Sequence, residues 1–212
     1  MKKTAFFLSI LLCFSVMLIS CKNENVNEGG AAVATDTVVP LDISSLDVSE
    51  YIVLGKYKDM TIEYKLSQGE KSDILWKTIV DNTTVKKYPE QQVDYYYNQI
   101  KAKYIYLANS NNETYEKVLE YVGETEESIL AEAREMTLDD LVTAAIFELE
   151  GVELTEKEKS DNYDVYVRIF TEMYGYSEEY VKSNLTDELF DMMRYDKMME
   201  KLVMMNEFVV LE

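Results

Sequence analysis

Histidine is absent from this 212-residue chain. Imidazole acid–base catalysis, serine–histidine nucleophile pairing and histidine-ligated metal sites are therefore excluded together. Cysteine is nearly absent: Cys13 and Cys21 are the only two, and both precede the body of the sequence. Residues 22–212 thus offer no disulfide and no thiol nucleophile. Basic residues are scarce too, with 21 Lys and Arg against 40 Asp and Glu and a formal net charge of −19. Phosphate recognition depends on concentrated Lys and Arg, so nucleic acid is excluded as a partner. Anionic lipid headgroups would repel such a body as well. Nothing in the composition calls for a cofactor or a metal.

Lys2 and Lys3 open the chain, and an apolar run from Ala5 to Ile19 follows. The run is short for a bilayer span and gives way to polar sequence, the pattern of a secretory signal over residues 1–20. Its end, "LISC", resembles a bacterial lipobox. That resemblance implies acylation of the Cys21 thiol, cleavage before it, and a lipidated N-terminus. An ordinary signal ending in cysteine is the plainer alternative. Loss of Lys2 and Lys3 with the signal leaves the remainder at −21. Attachment to a membrane would then rest on the acyl chains of Cys21 alone. The expected location is extracytoplasmic, anchored to a bacterial membrane. The Asn-, Gly-, Ala- and Thr-rich stretch up to Pro40 reads as a flexible tether. It could hold the body roughly 25 Å from the membrane. The expected division is signal 1–20, tether 21–50 and one folded domain 51–212.

The segment "YIVLGKYKDMTIEYKL" has the β-branched and aromatic content of one or two short strands, and "EFVVLE" of a short C-terminal one. Between them helical periodicity dominates, so the fold class is mainly α. Ile74, Leu75 and Ile79 fall at helical spacing, and Asn82 with Thr83–Thr84 ends that helix. Pro89, one of only 2 prolines, fits the first turn of the next, where a missing N–H costs nothing. Val93, Tyr97, Ile100, Tyr104 and Leu107 make one apolar face of a helix about 20 residues long, roughly 30 Å. A short helix with Tyr115, Val118, Leu119 and Val122 ends at Gly123. Thr125 caps a longer helix whose Leu138, Leu141, Ala145 and Leu149 share a face. "TEKE", 155–158, is a capping box ahead of Tyr163, Val167, Phe170 and Tyr174, and Gly175 stops that helix. Ser177 caps a last helix expected to run to about Met205, with a core stripe of Val181, Leu185, Met192, Met199 and Val203. Long helices joined by short ones suggest an arm-and-cradle shape.

"ILWKTIVDNTTVKKYPEQQVD" resembles the start of the C-terminal chaperone domain of trigger factor. "AAIFELEGVELTEKEK", residues 144–159, is similar to a later part of that domain, and "YVGETEESI" falls between them in the expected order. "YIVLGKYKDMTIEY" resembles the segment leaving the ribosome-binding domain of clostridial-type trigger factors. The peptide-binding domain of SurA-type periplasmic chaperones shares the helical plan. The resemblance spans roughly Tyr51 to Phe208. It implies ATP-independent binding of unfolded exported polypeptides. The ribosome-binding domain is missing, and only "KLSQGEK" stands where the FKBP-type prolyl isomerase would be. The resemblance therefore implies a non-catalytic holdase without isomerase activity. The alternative is a structural or assembly lipoprotein whose helices serve one envelope partner.

Two side-chain stripes are candidates for peptide binding. On the long helix Tyr88, Tyr95 and Tyr106 lie about 120–140° from the apolar face. Tyrosine pairs a large apolar body with a polar tip, which suits transient capture. On the last helix Met193 and Met204 fall on one flank of the expected stripe, and Met198 and Met205 on the other. Methionine is unbranched and polarisable and repacks around varied apolar sequences. The plainer reading of both stripes is a second packing interface. Acidic runs such as Glu124 to Glu127 read as solvated helix starts favoured by the helix dipole.

Overall fold

A computed structural model describes residues 38–211, so the signal, Cys21 and the first part of the tether lie outside the described residues. The described chain is mainly helical, with seven α-helices and four short strands. The helices are α1 (Lys71–Asn82), α2 (Glu90–Asn111), α3 (Tyr115–Val122), α4 (Glu126–Glu150), α5 (Glu156–Tyr174), α6 (Glu178–Asn184) and α7 (Thr186–Met204). The strands are β1 (Ile52–Val53), β2 (Thr61–Tyr64), β3 (Thr84–Val85) and β4 (Glu207–Val210). β1 pairs with β3, and β2 pairs in parallel with β4. No described helix is long and apolar enough to cross a membrane.

Local signals set the helix ends. Thr114, Thr155 and Ser177 each accept a backbone N–H of the first turn, and Thr155 with Glu158 completes the capping box. Gly123 and Gly175 close α3 and α5 in the left-handed conformation, at φ 77° and 73°. Pro89 stands just outside α2, as its N-cap.

The described chain divides into two compact units. The first comprises residues 38–51 with Val85–Leu141. Its core gathers Val93, Tyr96, Ile100 and Tyr104 of α2 with Leu119 of α3 and Ile129, Ala133 and Met136 of α4. The end of the expected tether belongs to this core. Val38 packs against it, the Leu41 N–H donates to Gln92 Oε1 at 2.8 Å, and Gln91 Nε2 donates to the Val39 carbonyl at 3.1 Å. Asp42 and Asp47 each cap a 3-10 turn, Ile43–Ser45 and Val48–Glu50, and Val48 is buried. Residues 38–50 are thus folded because α2 supplies amide partners and an apolar seat.

The second unit comprises Ile52–Thr84 and residues 142–211. α1 and α5 both pack on α7, burying Leu75, Trp76 and Ile79 with Val181, Leu189, Met198 and Leu202. Trp76 meets Tyr195 edge-to-face at 5.7 Å. β2 and β4 pair with Thr61 opposite Glu207 and Tyr64 opposite Val210, joining distant stretches of chain. Asn206 sets that register. Its side chain accepts the Met60 N–H at 2.9 Å and donates to the Tyr57 carbonyl at 3.0 Å. At Gly55 a Cβ would meet the Asn82 carbonyl oxygen at 2.2 Å, so only glycine lets the two backbones approach.

Several expectations need correction. The last helix is two: α6 ends and α7 begins at Leu185, whose φ and ψ are −124° and 23°. Asn184 Nδ2 donates to the Tyr180 carbonyl and Thr186 Oγ1 to the Lys182 carbonyl, so side chains compete for the backbone there. A stripe projected through that break loses its phase. Leu189, Met193, Met198, Met199 and Leu202 are the buried set on α7, while Met192 and Val203 are only half-buried. On α4 the buried face is Ile129, Ala133, Met136, Leu141, Val142 and Ile146, and Leu149 is exposed. Val122 is exposed at the end of α3. β3 carries too few residues to give a strand signal of its own.

Candidate functional site

The first unit contains an open cleft of about 710 Å³. Its position follows from two tight turns. Asn112 adopts the left-handed conformation at φ 53° after α2, and Thr114 caps α3 two residues on, which folds α3 back beside α2. Gly123 then ends α3, and Thr125 accepts the Ser128 N–H at 3.1 Å to begin α4.

The cleft has an apolar floor and a charged rim. Ile105 and Ala108 of α2 and Leu119 of α3 supply the floor. Five glutamates, Glu113, Glu116, Glu120, Glu124 and Glu126, stand around it with one lysine, Lys101. Glu113 pairs with Lys117 at 2.8 Å, and Glu124 accepts the Ser128 hydroxyl at 2.5 Å. Among the described residues no ion pair reaches Glu116 or Glu120, and both are exposed.

Lys101 is held differently. Its ammonium donates to Glu126 Oε1 at 3.2 Å and lies 5.4 Å and 5.3 Å from the ring centres of Tyr97 and Tyr115. The Tyr97 hydroxyl donates to the other oxygen of Glu126. That hydrogen bond, with the Lys101 ammonium behind it, holds the Glu126 carboxyl below the usual range. Burial pushes the Tyr115 phenol up, with Glu126 adding to the effect. The Tyr115 hydroxyl sits near that carboxylate but outside good hydrogen-bond geometry, so it is buried without a partner. The end of the cleft is therefore an aromatic and carboxylate cage that already holds an alkylammonium.

None of the seven residues expected to bind peptide lines this cleft. Tyr88, Tyr95 and Tyr106 belong to the first unit and Met193, Met198, Met204 and Met205 to the second. Tyr95, Met193 and Met198 are buried, at 7%, 4% and 0% exposure, which corrects their placement on an open surface. Tyr95 joins the α2–α4 core, because α2 packs against α3 and α4 together and needs an apolar face wider than one stripe. Tyr88 is half-buried under Arg134, whose guanidinium lies 5.9 Å from its ring, and Met205 is half-buried at the end of α7. Tyr106 and Met204 are open, at 48% and 80%.

The cleft residues left a trace in the sequence that composition alone obscures. Glu113, Glu116 and Glu120 recur at helical spacing, with Glu116 one turn before Leu119. Glu124 and Glu126 read as helix-start acids, and the turns at Asn112 and Gly123 bring them to the same rim.

Two further perturbed carboxylates, Asp140 and Glu150, shift in opposite directions. Asp140, on α4 in the first unit, accepts Gln92 Nε2 at 2.8 Å and the Tyr96 hydroxyl at 2.7 Å. Burial pushes it up to about 6 despite both hydrogen bonds. Glu150, in the second unit, receives Lys201 and Lys58 at 2.9 Å each and the Tyr57 hydroxyl at 2.7 Å. Lys201 first and then Lys58 hold it down at about 2. Both tie their own unit together. Among the described residues no cluster of three or more carboxylate or thiol side chains is arranged to hold a metal ion.

Compared with known protein families, curated proteins and solved structures, the chain matches none.

Proposed function

We propose that this protein is a lipid-anchored, extracytoplasmic holdase that binds unfolded segments of exported polypeptides without ATP and without prolyl isomerase activity. The open cleft of the first unit carries the reading: an apolar floor of Ile105, Ala108 and Leu119 under a rim of carboxylates. An apolar stretch of client loses water contact on such a floor, and the rim stays hydrated and keeps the complex soluble. Binding by side chains alone consumes no nucleotide. The segment resemblances to trigger factor and SurA support the same reading, and the lipobox-like "LISC" supports anchoring through Cys21.

Suppression of light scattering by several unrelated aggregating clients tests the proposal. The native chain is expected to protect all of them. Ile105→Gln, at a half-buried floor position, is expected to lose most protection while keeping its helical circular dichroism. Protection of none, with recovery of one envelope protein in a pull-down, would favour the structural or assembly lipoprotein instead. For the anchor, intact mass should show an acylated Cys21, and an unacylated mature chain would refute it.

A further inference from the structure

We infer that β4 offers its free edge to β4 of a second copy of this chain, joining two β2–β4 pairs into one four-stranded sheet about a two-fold axis. The inference goes beyond the holdase reading and does not depend on it. The direction of the main chain carries it. The Glu207 N–H donates to the Met60 carbonyl and the Leu211 N–H to the Tyr64 carbonyl, at 2.8 Å each. Alternation along a strand then turns the N–H and C=O of Phe208 and Val210 away from β2. Among the described residues neither N–H has an acceptor, and β2 is the one element that packs along β4. The side chains are uncovered too: Val209, Val210 and Leu211 are 38%, 49% and 40% exposed. Edges of this kind are ordinarily blunted by lysine, proline or a bulge. β2 carries the exposed Glu63 and is followed by the exposed Lys65, whereas residues 208–211 have no charge and no proline.

The edge is complementary to itself, which names the occupant. With a two-fold axis through Val209, Phe208 of each copy exchanges main-chain hydrogen bonds with Val210 of the other, and Val209 faces Val209. Ile62 pairs with Phe208 and Tyr64 with Val210, so these four share one face of the sheet. Ile62 and Tyr64 are buried, and the new Phe208–Val210 contacts extend the apolar face they begin. In the same register Glu207 falls opposite Leu211 and not opposite its own copy, which keeps like charges from meeting directly. One arrangement thus satisfies both free N–H groups and covers all three exposed apolar side chains. A two-stranded sheet is marginal alone, and added strands make it self-supporting.

Sedimentation velocity of the full-length chain over a concentration series tests this. A reversible dimer is expected, with Kd on the order of 10–100 μM, the weak range of small interfaces. Val210→Pro removes an outward N–H and leaves the bonds to β2, so it should weaken pairing roughly tenfold or more with unchanged circular dichroism. Val209→Lys sets like charges face to face and should do the same. A positive readout uses the lack of cysteine in residues 22–212. Facing residues at this kind of position have Cα atoms about 4.5 Å apart, within disulfide reach. Under mild oxidation Val209→Cys should therefore cross-link roughly tenfold faster than Val165→Cys, at a position 42% exposed on α5, with the native chain as the control for Cys13 and Cys21. Equal cross-linking at the two positions, or a dimer that survives both Val210→Pro and Val209→Lys, would overturn the inference. A native chain that stays monomeric through roughly 100 μM would overturn it as well. If that monomer loses client protection on Val209→Lys, the edge belongs to an extended client strand instead. Loss of the dimer with client protection intact would sustain the inference and leave the holdase reading untouched.

Discussion

Asp140 and Glu150 stand on the same helix, one in each unit, and their carboxyl groups titrate in opposite directions. Asp140 has two neutral donors, Gln92 and Tyr96, in a buried setting. Glu150 has two lysines and a tyrosine. Both are hydrogen-bonded, so hydrogen bonding is not what separates them. Burial dominates at Asp140, where two neutral donors offset only part of it, whereas at Glu150 burial counts for little and two ammonium groups dominate. The first unit thus keeps a charge at some expense, and the second uses one to fasten the Tyr57–Lys58 turn and α7 to the end of α4.

The sharpest way to test whether the two units are comparable in solidity is to empty each core. Tyr95→Ala in the first and Met198→Ala in the second should each cost roughly 2–5 kcal/mol in chemical denaturation. A cost below about 1 kcal/mol at either position would mean that the side chain is not enclosed.

Asp140 offers the next largest effect. Its native carboxyl is pushed up to about 6, above an ordinary value of 3.8, so the folded chain holds the proton longer than the unfolded one. The resulting stability is fully present below the ordinary value and is lost as pH rises through about 6. The loss amounts to about 3 kcal/mol, and Asp140→Asn should remove that pH dependence. The variant's amide oxygen still accepts from Gln92 and Tyr96. Identical pH–stability profiles for native and variant chains would contradict this.

Glu150 should behave in the opposite sense and more weakly. Its carboxyl is held at about 2, below an ordinary 4.5, so its contribution is present above the ordinary value and vanishes as pH falls through about 2. Glu150→Gln should cost about 1–2 kcal/mol near neutral pH, limited because water reaches both lysines and screens them. High salt should narrow the gap between native chain and variant. No salt effect would mean that the ion pairs contribute little.

The smallest effects belong to the open residues. Tyr106→Ser and Met204→Gln should change stability by no more than about 0.5 kcal/mol. Neither lines the cleft, so on the holdase proposal both variants should protect clients as well as the native chain. A marked loss of protection in either would move the client surface out of the cleft.

Helix ends were legible in the sequence because a cap is a contact between residues a few positions apart. Thr155, Ser177, Gly123 and Gly175 all act where their sequence neighbourhood places them. The terminal strand was legible for a similar reason, since "EFVVLE" is β-branched and bounded. Its partner was not, because parallel pairing of β2 with β4 joins segments that only the helices between them bring together. The candidate site was the least legible part. Lys101, Ile105, Glu116 and Glu126 each have ordinary local roles, and only the turns at Asn112 and Gly123 turn them into one cleft.

What the sequence determined by itself is the mainly helical class, the cap positions, the lack of imidazole chemistry and the heavy negative charge. Each depends on composition or on contacts within one turn. The tertiary structure alone decided which faces are buried and how many compact units the chain forms. Tyr95, Met193 and Met198 are core residues because α2 and α7 each pack against more than one neighbour, and periodicity cannot count neighbours. A helix specifies its own stripes, but burial belongs to the surfaces that other segments bring to it.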